Sequence, residues 1–208
     1  MTRNLTEELL AAFHDDVLVG DLMHPKRNEY PEDFVDYFRR RVQKTGKEKS
    51  HVLLVSTTSD DAGNEVVTGF GDWIRQGETT KGGDHLTATT DPEVSKNRAA
   101  DPKQIDVFER SAPFTKHHWT GPRAETWYLD LLAVHPDYQR RGFGRMLVEW
   151  GVRKANEDKV CASVIAAEEA EHLYQACGFK GVGWATEGEG NPLFGMRGGR
   201  IMFVDRQP

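Results

Sequence analysis

Apolar positions along the chain alternate between two spacings, and each change of spacing marks an element. Phe34, Tyr37, Phe38 and Val42 recur at i, i+3, i+4 and i+8, the stripe of an amphipathic helix. That helix opens at Pro31-Glu32-Asp33, where proline suits the first turn and two acids face the positive end of the helix dipole. Leu9, Leu10 and Phe13 predict an earlier helix over residues 6–17, starting near Thr6 and broken by His24-Pro25. The spacing then drops to two. His51 to Thr57 and Glu65 to Ile74 read as strands, and Asp60-Asp61-Ala62-Gly63-Asn64 between them is turn chemistry, so a hairpin is expected. Gly69 and Gly71 inside the second strand predict a bulge or a close backbone approach.

From Gln76 to Ala124 the pattern dissolves into Thr, Gly, Lys, Asp and Asn, with Lys81-Gly82-Gly83-Asp84 near the start. This is too long for an ordinary connection and reads as a polar insertion or lid, with a helix over Pro102 to Arg110 carried by Ile105, Val107 and Phe108. Periodicity returns at a strand from Thr126 to Val134. A helix follows over residues 142–156, with Phe143, Met146, Leu147 and Trp150 on one face. Next come a strand from Val160 to Ala166, a helix from Glu168 to Ala176 stopped by Gly178, and two short strands near 181–184 and 201–204. Strands alternating with helices predict an α/β (α+β) fold with a mixed sheet, in one domain of 208 residues carrying the insertion at about 76–124.

Charge narrows the partners. With 27 Lys and Arg against 33 Asp and Glu, the net charge of −6 disfavours nucleic acid and anionic membranes. Cys161 and Cys177 make neither a disulfide framework nor a metal site, and no metal is expected. No apolar run approaches a transmembrane length and the N-terminus lacks a secretory signal, so a reduced, cytoplasmic setting is the expectation.

Candidate chemistry concentrates at Gln139-Arg140-Arg141-Gly142-Phe143-Gly144-Arg145, between a strand and a helix. The glycines allow a tight turn that aims several amides outward at a helix N-terminus. The arginines add charge, so the segment suits a pyrophosphate. Taken alone, it could equally be a glycine turn with solvated arginines.

The flanks extend this motif. The run from Leu132 to Gly144, with His135-Pro136 at its turn, resembles the acetyl-CoA signature of the GNAT superfamily of N-acetyltransferases. Leu173-Tyr174-Gln175-Ala176-Cys177-Gly178-Phe179 resembles that superfamily's second signature. The resemblance implies a mostly antiparallel central sheet flanked by helices and splayed at the signature strand. It also implies acetyl-CoA as cosubstrate, its pantetheine arm along Leu132, Ala133 and Val134 and its pyrophosphate on the amides of Gln139 to Gly144. A backbone N–H of Leu132 or Val134 would polarise the acetyl carbonyl. Tyr174 matches the tyrosine that serves as general acid toward the thiolate. Tyr128 and Asp130 share one strand face, and Asp130 is the expected general base, its carboxyl raised in pKa if half buried; a water chain is the alternative. Asp72, Trp73 and Tyr128 are candidates for the acceptor cleft, and sheet packing explains Trp73 as well. His117 and His118 read as loop residues, with reach to the acceptor site as the alternative, and His135 and the two cysteines read as structural.

The implied activity is acetyl transfer to a primary amine, that of a small molecule, by direct attack in a ternary complex. A protein lysine or N-terminal acetyltransferase and a non-catalytic acyl-CoA-binding module stay open. A Rossmann-type nucleotide binder is disfavoured, because the glycine motif lies late and no convincing ribose-binding acid follows it. Two features depart from the superfamily pattern. The usual first strand is short or missing, which leaves a sheet edge open to cover or to a homodimer, and Ile165 stands where some members carry a glutamate.

Overall fold

The computed structural model describes residues 12–77 and 96–206. Residues 6–11 of the expected first helix and the whole Lys81-Gly82-Gly83-Asp84 segment lie outside them; residues 12 and 13 are helical, and a turn follows at 14 and 15. A π-helical stretch spans Val17–Met23, capped by Asp16, whose side chain accepts from the amides of Leu18 and Val19. Helix α1 (Pro31–Thr45) follows, with proline in its first turn and Phe34, Tyr37 and Phe38 buried as the spacing predicts.

Strands β1 (His51–Ser59) and β2 (Glu65–Gln76) form the expected antiparallel hairpin. Asp60 builds the turn by accepting from the amides of Ala62 and Asn64. Gly69 answers to a close approach: a Cβ there would stand 2.8 Å from the Ala133 carbonyl oxygen. The ladder also shifts register at this point, between Ser56 and Thr57.

The described residues between Gln76 and Ala124 are less polar in structure than in composition. Gln76 still belongs to β2. Helix α2 (Val107–Thr115) begins five residues later than expected and runs through Pro113. Ala99, Ala100, Val107 and Trp119 are buried. Trp119 donates its indole N–H to Ser163, which docks this stretch on the sheet. Sparse apolar positions sufficed because these four are buried.

Strand β3 (Thr126–Val134) is followed by helix α3 (Phe143–Asp158), strand β4 (Cys161–Ala166), helix α4 (Glu171–Ala176), and strands β5 (Lys180–Trp184) and β6 (Arg200–Val204). Gly178 ends α4 with a φ of +92°, as its C-terminal glycine. The six strands lie in the order β1-β2-β3-β4-β6-β5, antiparallel except for the β3–β4 pair. This is the mixed, mostly antiparallel sheet expected. On the described residues β1 forms its edge.

The sheet separates two different interiors. On one face Trp73, Trp127, Leu129, Val148, Val164 and neighbours make one continuous core under α3. The buried side of α3 is Leu147, Val148, Gly151 and Ala155; Met146, expected on it, is exposed. The Trp73 ring sets this rotation, because a Cβ on Gly151 would stand 2.1 Å from it. On the other face two clusters stand apart. One gathers Met23, Phe34, Phe38, Phe70 and Leu131 under α1. The other gathers Ile74, Trp119, Tyr128, Ile201 and Phe203.

Candidate active site

Strand β3 is paired on both sides for only half its length. Thr126 to Leu129 pair with Cys161 to Val164 of β4, and the pairing stops there, while β2 follows β3 to Val134. The strands therefore part from Asp130 onward, the splay expected at this strand. A bulge sits at the parting: Leu129 and Leu131 face consecutive β2 residues, Trp73 and Asp72, leaving Asp130 as the extra residue. His135 donates its amide to the Thr68 carbonyl on the β2 side. Strand alternation then turns the amides of Leu132 and Val134 toward the opening.

A cavity of about 450 Å³ occupies this opening. Tyr128, Asp130, Leu132 and Tyr174 all line it, as do Arg41, His51 and Ser111. It passes between the sheet's two sides. Tyr128 belongs to the cluster on one side, and Tyr174 to the core under α3 on the other.

The Tyr174 side chain is buried, and burial lifts its phenol well above the ordinary value. Its ring meets Phe179 edge-on, and its hydroxyl has no hydrogen-bond partner among the described residues. A phenol so placed stays protonated through the physiological range and can donate into the cavity. Tyr128 is likewise buried and its phenol is raised, first by burial and then by the charge of Asp130.

Asp130 is not a free carboxylate. Arg41 donates to its Oδ2 at 2.6 Å, and both side chains are largely buried. Burial opposes the charge on Arg41, but Asp130 and Tyr37 outweigh it and hold the guanidinium firmly protonated. This pairing corrects the expected role of Asp130 as a free base. It leaves a fixed ion pair beside the opening. The sequence carried a signal for Arg41: it falls on the stripe of Phe34, Tyr37 and Phe38, where a charge needs a partner.

Trp73 is not on the cavity wall. It is fully buried under α3 and donates its indole N–H to the Leu147 carbonyl at 3.1 Å, so it is a core residue. On a strand of period two, its neighbour Asp72 faces the other way and meets His51 with 2.9 Å between Oδ1 and Nδ1. His118 and Trp119 pack on β5 and the sheet rather than entering the cavity.

The glycine motif forms a separate surface at the head of α3. Gly142 caps the helix with a φ of +93°, and among the described residues no side chain caps it. Arg140 also has positive φ, at 62°. Left-handed residues in such a turn gather N–H groups into a concave anion receptor. The three arginines are not equivalent. Arg145 pairs with Glu149 at 2.7 Å and Arg141 stacks 5.3 Å from the centre of the Tyr138 ring. Gln139 donates its side-chain amide to the Val134 carbonyl, tying the loop to the end of β3. Phe143 meets Tyr138 edge-on, and Gly144 lies against Leu173 and Val134. Leu132 touches the core under α3, whereas Ala133 is buried with the α1 cluster.

Residues 111–181 match the Acetyltransferase (GNAT) domain family. A curated relative from Stachybotrys chartarum (strain CBS 109288 / IBT 7711), named "Acetyltransferase", is 28% identical over 76% of this chain and 68% of its own. Among solved structures, one similar fold is described as histone acetyltransferase HPA2 and related acetyltransferase from Corynebacterium glutamicum ATCC 13032. Its TM-score is 0.63 at 16% identity, over all of this chain and 92% of that one. Another is aminoglycoside 6'-N-acetyltransferase complexed with coenzyme A, with a TM-score of 0.51 at 13% identity over all of this chain and 91% of that one. The segment that matches the GNAT acetyltransferase domain contains the double motif and the splayed strand, and the fold of the chain is similar to those solved structures.

Proposed function

We propose that the protein transfers the acetyl group of acetyl-CoA, a substrate of the reaction, to a primary amine of a small molecule by direct attack. The observation that carries this reading is the opening between β3 and β4, which meets the cavity from the side of Tyr174 and the amides of Leu132 and Val134. The concave, uncapped turn at Gly142 suits the pyrophosphate. The opening then takes the acyl arm, with Leu132, Ala133 and Val134 along it. The amide of Leu132 or Val134 polarises the carbonyl, worth about 3 kcal/mol for a well-placed donor. The amine nitrogen bonds to the carbonyl carbon as the C–S bond breaks, and Tyr174 protonates the departing sulfur. Asp130 enters as the polar half of a fixed ion pair with Arg41, which shapes the wall formed with Tyr128.

The test is thiol release from acetyl-CoA with a panel of primary amines, beside calorimetry with acetyl-CoA. Release that depends on one amine class is expected. Tight binding with no release across the panel would overturn transfer to small amines.

A further inference from the structure

One histidine on the cavity wall has both ring nitrogens aimed at carboxylates and is not used above. His51 opens β1; ladder register sets it opposite Ile74, which is itself opposite Tyr128, so the three form a row across the sheet on the cavity side. Nδ1 of His51 lies 2.9 and 3.1 Å from the two oxygens of Asp72. Nε2 lies 3.3 Å from Oε2 of Glu48. The Asp72 side chain is 2% exposed, against 43% for Glu48, so one carboxylate is interior and the other meets solvent. A carboxylate fixed at Nδ1 settles the tautomer and leaves Nε2 to exchange protons, the division of labour of a base and its orienting acid.

We propose that His51, positioned by Asp72, is the base that takes the proton of the incoming ammonium at Nε2 and hands it through Glu48 to solvent. This rests on the transferase reading above. The balance closes. The ammonium gives one proton to His51, and its freed lone pair forms the C–N bond as C–S breaks. The sulfur gains the proton of Tyr174, the second proton leaves the nitrogen as the amide forms and restores the Tyr174 phenol, and one proton in all is released, through His51. Asp72 from β2, Asp130 from β3, Glu48 beyond α1 and Arg41 on α1 are the charged groups around the imidazole. Burial opposes its protonation, but Asp72, then Asp130 and Glu48, outweigh this and lift its pKa above the ordinary value of 6.5. A base of that strength is matched to an ammonium near neutral pH.

The test is the pH profile of kcat/KM for thiol release by the whole chain, with any amine that turns over. Wild type is expected to gain rate through one ionisation above pH 6.5, the ordinary value for histidine. His51→Gln should lower kcat by about 100-fold and erase that limb. Asp72→Asn removes the largest raising influence, so the limb should move to lower pH. Glu48→Gln, at a half-exposed position, should slow turnover in dilute buffer and recover in concentrated buffer, which keeps the proposal testable if Asp72→Asn fails to fold. A limb retained in folded His51→Gln, or a limb unmoved in folded Asp72→Asn, would overturn the proposal alone. Absence of turnover in wild type with every amine would overturn the transferase reading together with it.

Discussion

The two faces of the sheet solve opposite problems. Under α3 the side chains close on one another: Trp73 fills the space left by Gly151, and its indole N–H is satisfied by the Leu147 carbonyl. The other face is held by two clusters with a gap between them, and the gap is lined by Arg41, His51, Asp130 and Tyr128. The first face has the close packing that stabilises a domain. The second sets charge where charge costs stability, and keeps it by pairing Arg41 with Asp130 and His51 with Asp72. A stabilising face and a reactive face thus share one set of strands, and alternate residues serve each.

That contrast can be broken from either side. The largest effect is expected on the closed face. Trp73→Ala empties the core and loses a hydrogen bond, at about 4 kcal/mol, so Tm in a thermal melt should fall by roughly 10 °C. Thiol release per folded molecule should change little; a large loss of rate in folded protein would put Trp73 back at the reaction.

Next comes His24, buried against Phe34 and Tyr37 on the open-face side, with Nδ1 on the Val19 carbonyl. Burial lowers its pKa from 6.5 to about 4. The folded state keeps it neutral, and between these values the unfolded chain binds the extra proton. Stability should therefore fall as pH drops from 6.5 toward 4, by about 3 kcal/mol in all. Chemical denaturation across this window checks it. His24→Leu should give a flatter curve than wild type, and equal slopes would remove His24 as the source.

Tyr174→Phe removes only a hydroxyl facing the cavity. We expect kcat to fall about 100-fold, with little change in KM for acetyl-CoA. A wild-type kcat would make Tyr174 a packing residue of the closed face alone. The smallest effect concerns the turn at Gly142. Its left-handed backbone has open space for a side chain, so Gly142→Val acts through backbone strain and by obstructing the amides. Acetyl-CoA affinity by calorimetry should drop about tenfold, and unchanged affinity would remove this turn from the binding surface.

Much of the fold was legible because helix and strand periods are local. The α1 stripe, the β1–β2 hairpin and the β3 strand appear where their spacing predicts. In the insertion the few apolar residues give little periodicity, and burial of Ala99, Val107 and Trp119 depends on partners far along the chain. Trp73 was misplaced for a related reason. Parity put it and Asp72 on opposite faces, and parity alone does not say which face is filled.

The sequence by itself determined the order of elements and the glycine turn at Gly142, because each depends on neighbours within a few positions. Tertiary structure alone decided that Asp130 is paired. Its partner Arg41 stands 89 residues earlier, and only packing α1 over the sheet joins them. It alone brought Asp72 to His51 through strand register, whereas the Arg145–Glu149 pair is an i,i+4 contact within α3. Ion pairs form wherever folding brings charges together, and the chemistry of the cavity follows from those meetings.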